Sequence, residues 1–190
     1  MKNEVTMDLA EKPASYQDII NLPENMVGEI INGHLETRPR PAPKHALAAS
    51  SLGDELVSPF QKRRDGPGGW WILDEPECHL DGHILVPDIA GWRKQKLPSL
   101  PKTAWFEIAP DWVCKILSPG TMRLDRIVKM PIYAKLDVRY LWLIDPDLKT
   151  LEAYALQASN WSLIATFADN DEISIAPFTE HSFSLSVLWE

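Results

Sequence analysis

Pro110-Asp-Trp-Val-Cys-Lys-Ile-Leu-Ser-Pro-Gly-Thr121 is the stretch on which the reading of this chain turns. Trp112 to Leu117 is an apolar run broken only by Lys115, with Pro-Asp before it and Ser-Pro-Gly after it. That pattern predicts a short strand buried on both faces, in the middle of a mixed sheet. An ammonium at its centre must be paired or reach water, because an unpaired buried charge costs on the order of several kcal/mol or forces a pKa shift. Lys115 therefore marks either the mouth of a polar cavity or an anomaly.

Working outward, Thr121 or Asp125 can cap a helix that runs to about Leu136, with an irregularity at Pro131. Tyr140 to Ile144 reads as a second buried strand. Thr150 to Leu156 and Trp161 to Phe167 read as a hairpin, followed by one short C-terminal strand. On the other side, Ile84 to Trp92 reads as one strand, turned from Glu77–Leu80 by Asp81-Gly82. Trp70 to Leu73 and Trp105 to Ile108 are further strand candidates. Lys44 to Arg64 has helical apolar spacing with a kink expected near Pro59. Asn32-Gly33 between Val27–Ile31 and His34–Thr37 is the strongest hairpin signal in the chain. A short helix is expected over Tyr16 to Asn21. The order predicts an α+β fold with one central mixed sheet.

Residues 1–14 are expected to form a loose tail and 15–190 a single domain. The 190 residues carry a net charge of −8, 45% apolar residues, 16 prolines and 8 tryptophans. This is an ordinary globular composition with an aromatic-rich core. No apolar run approaches the ~20 residues needed to cross a bilayer, and the polar N-terminus has no apolar signal core, so a cytoplasmic location is expected. Cys78 and Cys114 make neither a disulfide framework nor a zinc motif. The negative charge argues against a non-specific nucleic-acid coat. Basic residues cluster locally at Lys62-Arg63-Arg64, at Arg93, Lys94 and Lys96, and at Arg123, Arg126 and Lys129. A solvated face is the simplest reading of each.

Several carboxylates fall on neighbouring sheet segments. Asp88 shares a face with Val86, Ala90 and Trp92 if the strand is continuous. Glu29 opens a strand beside Ile30 and Ile31, and Glu75 and Glu77 flank Pro76. Two readings stand: loop-capping acids, or the oxygen ligands a hard cation such as Mg²⁺ requires. Asp125 and Lys129 share a helix face, where a surface ion pair is the simplest reading. His45 opens the long helix. No nucleophile elbow, phosphate-binding loop or dinucleotide fingerprint occurs.

Gly28-Glu-Ile-Ile-Asn-Gly-His-Leu35, the proline-rich link into Lys44-His45, Val86-Pro-Asp88, the Lys115 segment, Asp125-Arg-Ile-Val-Lys129 and Tyr140-Leu-Trp-Leu-Ile-Asp-Pro146 together resemble the Uma2 (DUF820) family of restriction endonucleases, within the PD-(D/E)XK nuclease superfamily. The resemblance spans roughly 15–190 and rests on the order of these segments. It implies a restriction-endonuclease-like αβββαβ core with N-terminal and C-terminal hairpin additions, Mg²⁺- or Mn²⁺-dependent hydrolysis of DNA, and a homodimer. It implies metal-binding roles for Asp88 and Glu29, to which the carboxylate cluster adds Glu75, and it puts the catalytic positions at Asp88, Glu29, His45, Lys115 and Lys129. Lys115 stands where the family has its second metal-binding glutamate. That exchange shifts the local charge by two units, and the repulsion of a divalent ion ~4 Å away is on the order of a few kcal/mol. Lys115 is then expected to replace the cation, pairing with Asp88 and with Glu29 or Glu75. Three functions remain open at this point: a metal-dependent endonuclease, a silent nucleic-acid-binding or dimerisation module, and a protein-interaction protein using a tryptophan-rich surface.

Overall fold

The computed structural model describes residues 12–190. Most of the expected tail, residues 1–11, lies outside the described residues. Where the chain enters, Ala14 donates its N–H to Gly33 O at 2.8 Å. After a short helix, α1 (Tyr16–Ile20), strands β1 (Met26–Ile31) and β2 (His34–Pro39) form the expected hairpin. Asn32 and Gly33 both take positive φ, 53° and 79°, as a type I′ turn demands. The register sets Glu29 opposite Glu36 and Val27 opposite Arg38.

Helix α2 (Pro43–Leu56) has proline in its first turn, where no backbone donor is needed. The expected kink near Pro59 is instead a π-helical turn, Val57–Gln61. Strands β3 (Trp70–Asp74), β4 (Cys78–Leu80), β5 (His83–Leu85), β6 (Ile89–Arg93) and β7 (Trp112–Ile116) follow. The single strand expected over 84–92 is two strands in different sheets. β5 pairs with β1 and β4, and β6 with β3 and β7. Pro87 offers no N–H to a ladder, and Val86 gives its own N–H to Glu29 Oε1 at 2.8 Å. The period-two alternation from Val86 to Trp92 therefore does not exist, and Asp88 sits at the crossing between sheets. Trp105–Ile108 makes only a single bridge, from Phe106 to Cys78.

The second helical segment comprises α3 (Met122–Leu124), a π-helical turn over Asp125–Lys129, and α4 (Met130–Lys135). The irregularity expected at Pro131 falls in the turn before it, because Pro131 lacks the N–H that would reach the carbonyl four residues back. Strands β8 (Tyr140–Asp145), β9 (Thr150–Gln157), β10 (Asn160–Ala168), β11 (Glu172–Ile173) and β12 (Phe183–Ser184) complete the chain, before a 3₁₀ turn over Leu185–Leu188.

The central six-stranded sheet has the order β10-β9-β8-β7-β6-β3. Only β7 and β8 are parallel, so they need a crossover, which α3 and α4 supply. Helix α2, β3, β6, β7, the α3–α4 segment and β8 give the expected αβββαβ order. Trp112, Cys114 and Ile116 face a core with Leu52, Leu56 and Phe60. Val113 and Leu117 face the opposite core, with Leu85, Ile132, Tyr133 and Leu141. Period two puts Lys115 on that second face, between the central sheet, the four-stranded sheet and the π turn. The tryptophans build the core: Trp92, Trp112 and Trp142 are among the largest fully buried side chains, and none is exposed. Trp71, Trp105, Trp161 and Trp189 are half-buried.

Candidate functional site

Six charged side chains close into a ring of alternating sign. Asp88 Oδ2 lies 2.8 Å from Lys115 Nζ, and Lys115 Nζ lies 3.7 Å from Asp125 Oδ1. Asp125 Oδ1 is 3.4 Å from Lys129 Nζ, and Lys129 pairs with Glu29 Oε2. Arg38 closes the circle, 3.7 Å from both Glu29 and Asp88. Glu29, Asp88, Asp125, Lys115 and Lys129 are all buried. Three carboxylates and three cations sum to zero, which is the condition under which buried charge is tolerated.

Each member is placed by a specific local structure. Glu29 is held on β1 by the Val86 N–H. Asp88 is held by the Ile116 N–H, 2.7 Å from Oδ2, so β7 supplies both its donor and its cation. Asp125 and Lys129 stand one π turn apart and so on one face. His45, in the first turn of α2, brings Nε2 to 3.4 Å from Asp88 Oδ1. Burial alone would raise the Asp88 carboxyl, but Lys115, His45 and Arg38 hold it well below the usual range. Burial likewise disfavours the Lys115 ammonium, and Asp88 with Asp125 outweighs it, raising its pKa. Lys129 goes the other way, lowered by burial and then by Lys115.

Above the ring opens a cavity of about 460 Å³, lined by Arg38, Arg40, His45, Asp88, Lys115 and Thr121 among others. The ring itself does not suit a divalent cation. Mg²⁺ requires about six oxygens in near-octahedral array. Here every carboxylate is shared between two cationic side chains. Among the described residues no group of three or more His, Cys, Asp or Glu side chains is placed to hold a metal ion.

The site residues expected from the sequence thus come together in part. Asp88, Glu29, Lys115 and Lys129 are in the ring, and His45 touches it. Glu75 is at the rim, 3.7 Å from Arg38 and 3.8 Å from Arg40. Lys115 finds Asp125 as its second partner, rather than Glu29 or Glu75. Asp125 and Lys129, read from spacing as a surface pair, are buried. Arg126 makes a bidentate pair with Glu152, 2.8 Å on each arm, so of the third basic cluster only Arg123 is exposed. Arg38 was missed. Its signal was present: with the Asn-Gly turn fixing the hairpin register, Arg38 is the diagonal same-face neighbour of Glu29.

A mixed sheet in αβββαβ order, with buried acids and a lysine gathered on β1, β7 and the crossover segment, is the frame of a nuclease-fold protein. The sequence matches the Uma2 family, described as "Putative restriction endonuclease", over residues 13–188. The chain belongs to that family. Among solved structures it is similar to one described as "a putative nuclease belonging to DUF820" from Anabaena variabilis ATCC 29413. The two share 26% identity with a TM-score of 0.73, over 93% of this chain and 98% of that one. A search of curated proteins finds no match. No helix among the described residues is long and apolar enough to cross a membrane.

Proposed function

We propose that this protein is a nucleic-acid-binding member of a nuclease family whose metal centre has been replaced by an ion-pair ring. In this reading it does not hydrolyse DNA with Mg²⁺ or Mn²⁺. The family match and the neighbour described as a nuclease support the nucleic-acid part. The silent centre rests on one contact, Lys115 Nζ at 2.8 Å from Asp88 Oδ2. An ammonium there occupies the position a cation would take beside the best-held carboxylate, and neutralises it with no ion from solution.

A second reading, a working metal-dependent endonuclease, draws on the acceptors left in the ring. Asp88 Oδ1 and both Asp125 oxygens are buried and accept no hydrogen bond. If Lys115 withdrew, those oxygens would be ligands. Titration calorimetry with Mg²⁺ and Mn²⁺, run beside a plasmid-nicking assay, separates the two. The ring predicts no binding heat at micromolar metal and no nicking. Micromolar affinity, or metal-dependent nicking abolished by Asp88→Asn, would establish the second reading instead.

A further inference from the structure

At the far end of β6 from Asp88, two basic segments converge on a hollow of about 450 Å³. Arg63, Gly68 and Gly69 line it from the loop after the π turn, and Arg93 and Lys94 from the end of β6. Lys62 and Arg64, both exposed, adjoin it in sequence. We propose that this hollow docks the phosphate backbone of a nucleic acid, an inference that rests on the nucleic-acid-binding reading above.

Charge is the first argument. Among the described residues none of Lys62, Arg63, Arg64, Arg93 and Lys94 forms an ion pair, while Lys96 reaches Asp111 at 3.6 Å. The acids nearby are Asp111, whose Oδ2 accepts the Arg93 backbone N–H at 2.8 Å, and exposed Asp65 beside Arg64, so in a chain of net charge −8 five cations gather here against two carboxylates. Cations after a helix do complement its dipole. That accounts for Lys62 to Arg64 and says nothing of Arg93 and Lys94, which come from a strand.

Pre-organisation is the second argument. The Arg93 guanidinium lies 4.5 Å over the Trp70 ring, on the sheet face that also carries Phe60 of the π turn, whereas Lys94 Nζ lies 4.1 Å over Trp71 on the opposite face, so Arg93 is the strand's pre-organised cation on the Arg63 side. Such contacts position a cation without cancelling its charge, so less ordering is required on binding. Gly68 takes φ +69° and leaves the space that Arg63 fills: a Cβ there would fall 2.2 Å from Arg63 Cγ. No large apolar side chain lines the hollow, which favours a phosphate ridge over a lipid surface. Five residues of extended chain, about 16 Å, separate Arg93 from Asp88, so the hollow is not part of the ring's cavity.

The test is fluorescence anisotropy of a labelled duplex of about 20 base pairs, titrated over a series of KCl concentrations. The unmodified protein should bind with an affinity that falls as salt rises. Arg63→Gln/Arg93→Gln should weaken binding about fivefold or more and reduce the slope of log K against log[KCl] by about one to two. Lys62→Glu/Arg64→Glu, at exposed positions with no ion-pair partner among the described residues, should weaken it similarly and guards against misfolding of the double variant. Arg123→Gln, exposed and elsewhere, should change nothing. If the unmodified protein binds and both basic variants bind equally well, the hollow is refuted while nucleic-acid binding stands. No binding by the unmodified protein refutes both. Binding to vesicles rich in phosphatidylserine with none to DNA also overturns the proposal.

Discussion

The ring and the hollow lie at opposite ends of β6 and use charge in opposite ways. In the ring each charge has two partners of opposite sign, five of the six side chains are buried, and the sum is zero. At the hollow the cations form no side-chain ion pairs among the described residues, and Arg93 leans on the face of Trp70. A charge whose field is cancelled within 4 Å holds a fold together and attracts little. A charge whose field is left open attracts a partner and adds little to stability. The difference assigns structure to the ring and recognition to the hollow, although the ring stands where the family resemblance places the catalytic centre.

The largest expected effect breaks the ring. Lys115→Met keeps most of the length of the side chain and removes its charge, leaving Asp88 buried with its nearest cation gone. The expected loss is about 3–5 kcal/mol of folding stability, read from urea denaturation; a loss under about 1 kcal/mol would mean that the ring is not structural. Lys115→Glu goes further, setting four acids against Arg38 and Lys129. It should be less stable than the parent in EDTA and regain melting temperature on addition of Mn²⁺ or Mg²⁺. A variant indifferent to metal would show that the geometry around Asp88 has left the family's metal site behind in more than one residue.

A smaller effect sharpens the ring's dependence on pH. Because the folded protein holds Asp88 below the ordinary carboxylate value of about 3.9, the unfolded chain takes up that proton first. The stability contributed by Asp88 is therefore fully present above about pH 4 and is lost as pH falls toward its folded value. One such group changes stability by at most about 1.4 kcal/mol per pH unit. Asp88→Asn should flatten the acid side of the stability profile between about pH 4 and 2. An unchanged acid slope would place the acid sensitivity elsewhere.

How much of this was legible depended on range along the chain. The hairpin at Asn32-Gly33 and the buried strand around Lys115 follow from turn chemistry and periodicity, which are local, whereas the αβββαβ order came from the family resemblance. The need of Lys115 for a partner was legible because a charge in an apolar strand is costly wherever that strand packs. Its second partner was not. Asp125 and Lys129 look like a surface pair until the four-stranded sheet is known to fold over them. That sheet was hidden because Pro87 splits an apparently continuous strand. Arg38 needed one more step, carrying the hairpin register across from Glu29. The hollow was visible only as two separate basic runs, since Arg63 and Arg93 are brought together by the pairing of β3 with β6.

The smallest effect separates the hollow's backbone from its charges. Gly68→Ala adds no charge and removes none. At φ +69° an alanine is strained by about 1–2 kcal/mol, and its Cβ would displace the Arg63 side chain. Gly69, at φ +89°, has nothing within 4 Å of where a Cβ would stand, so Gly69→Ala carries the same backbone strain and leaves Arg63 in place. Urea denaturation should therefore find the two variants similarly destabilised. Anisotropy should find DNA affinity reduced about threefold by Gly68→Ala, the scale of one weakened phosphate contact, and unchanged by Gly69→Ala. Equal losses of affinity would mean that loop strain, rather than the placement of Arg63, governs binding. The acid limb set by Asp88 should be the same in both, because neither substitution reaches the ring.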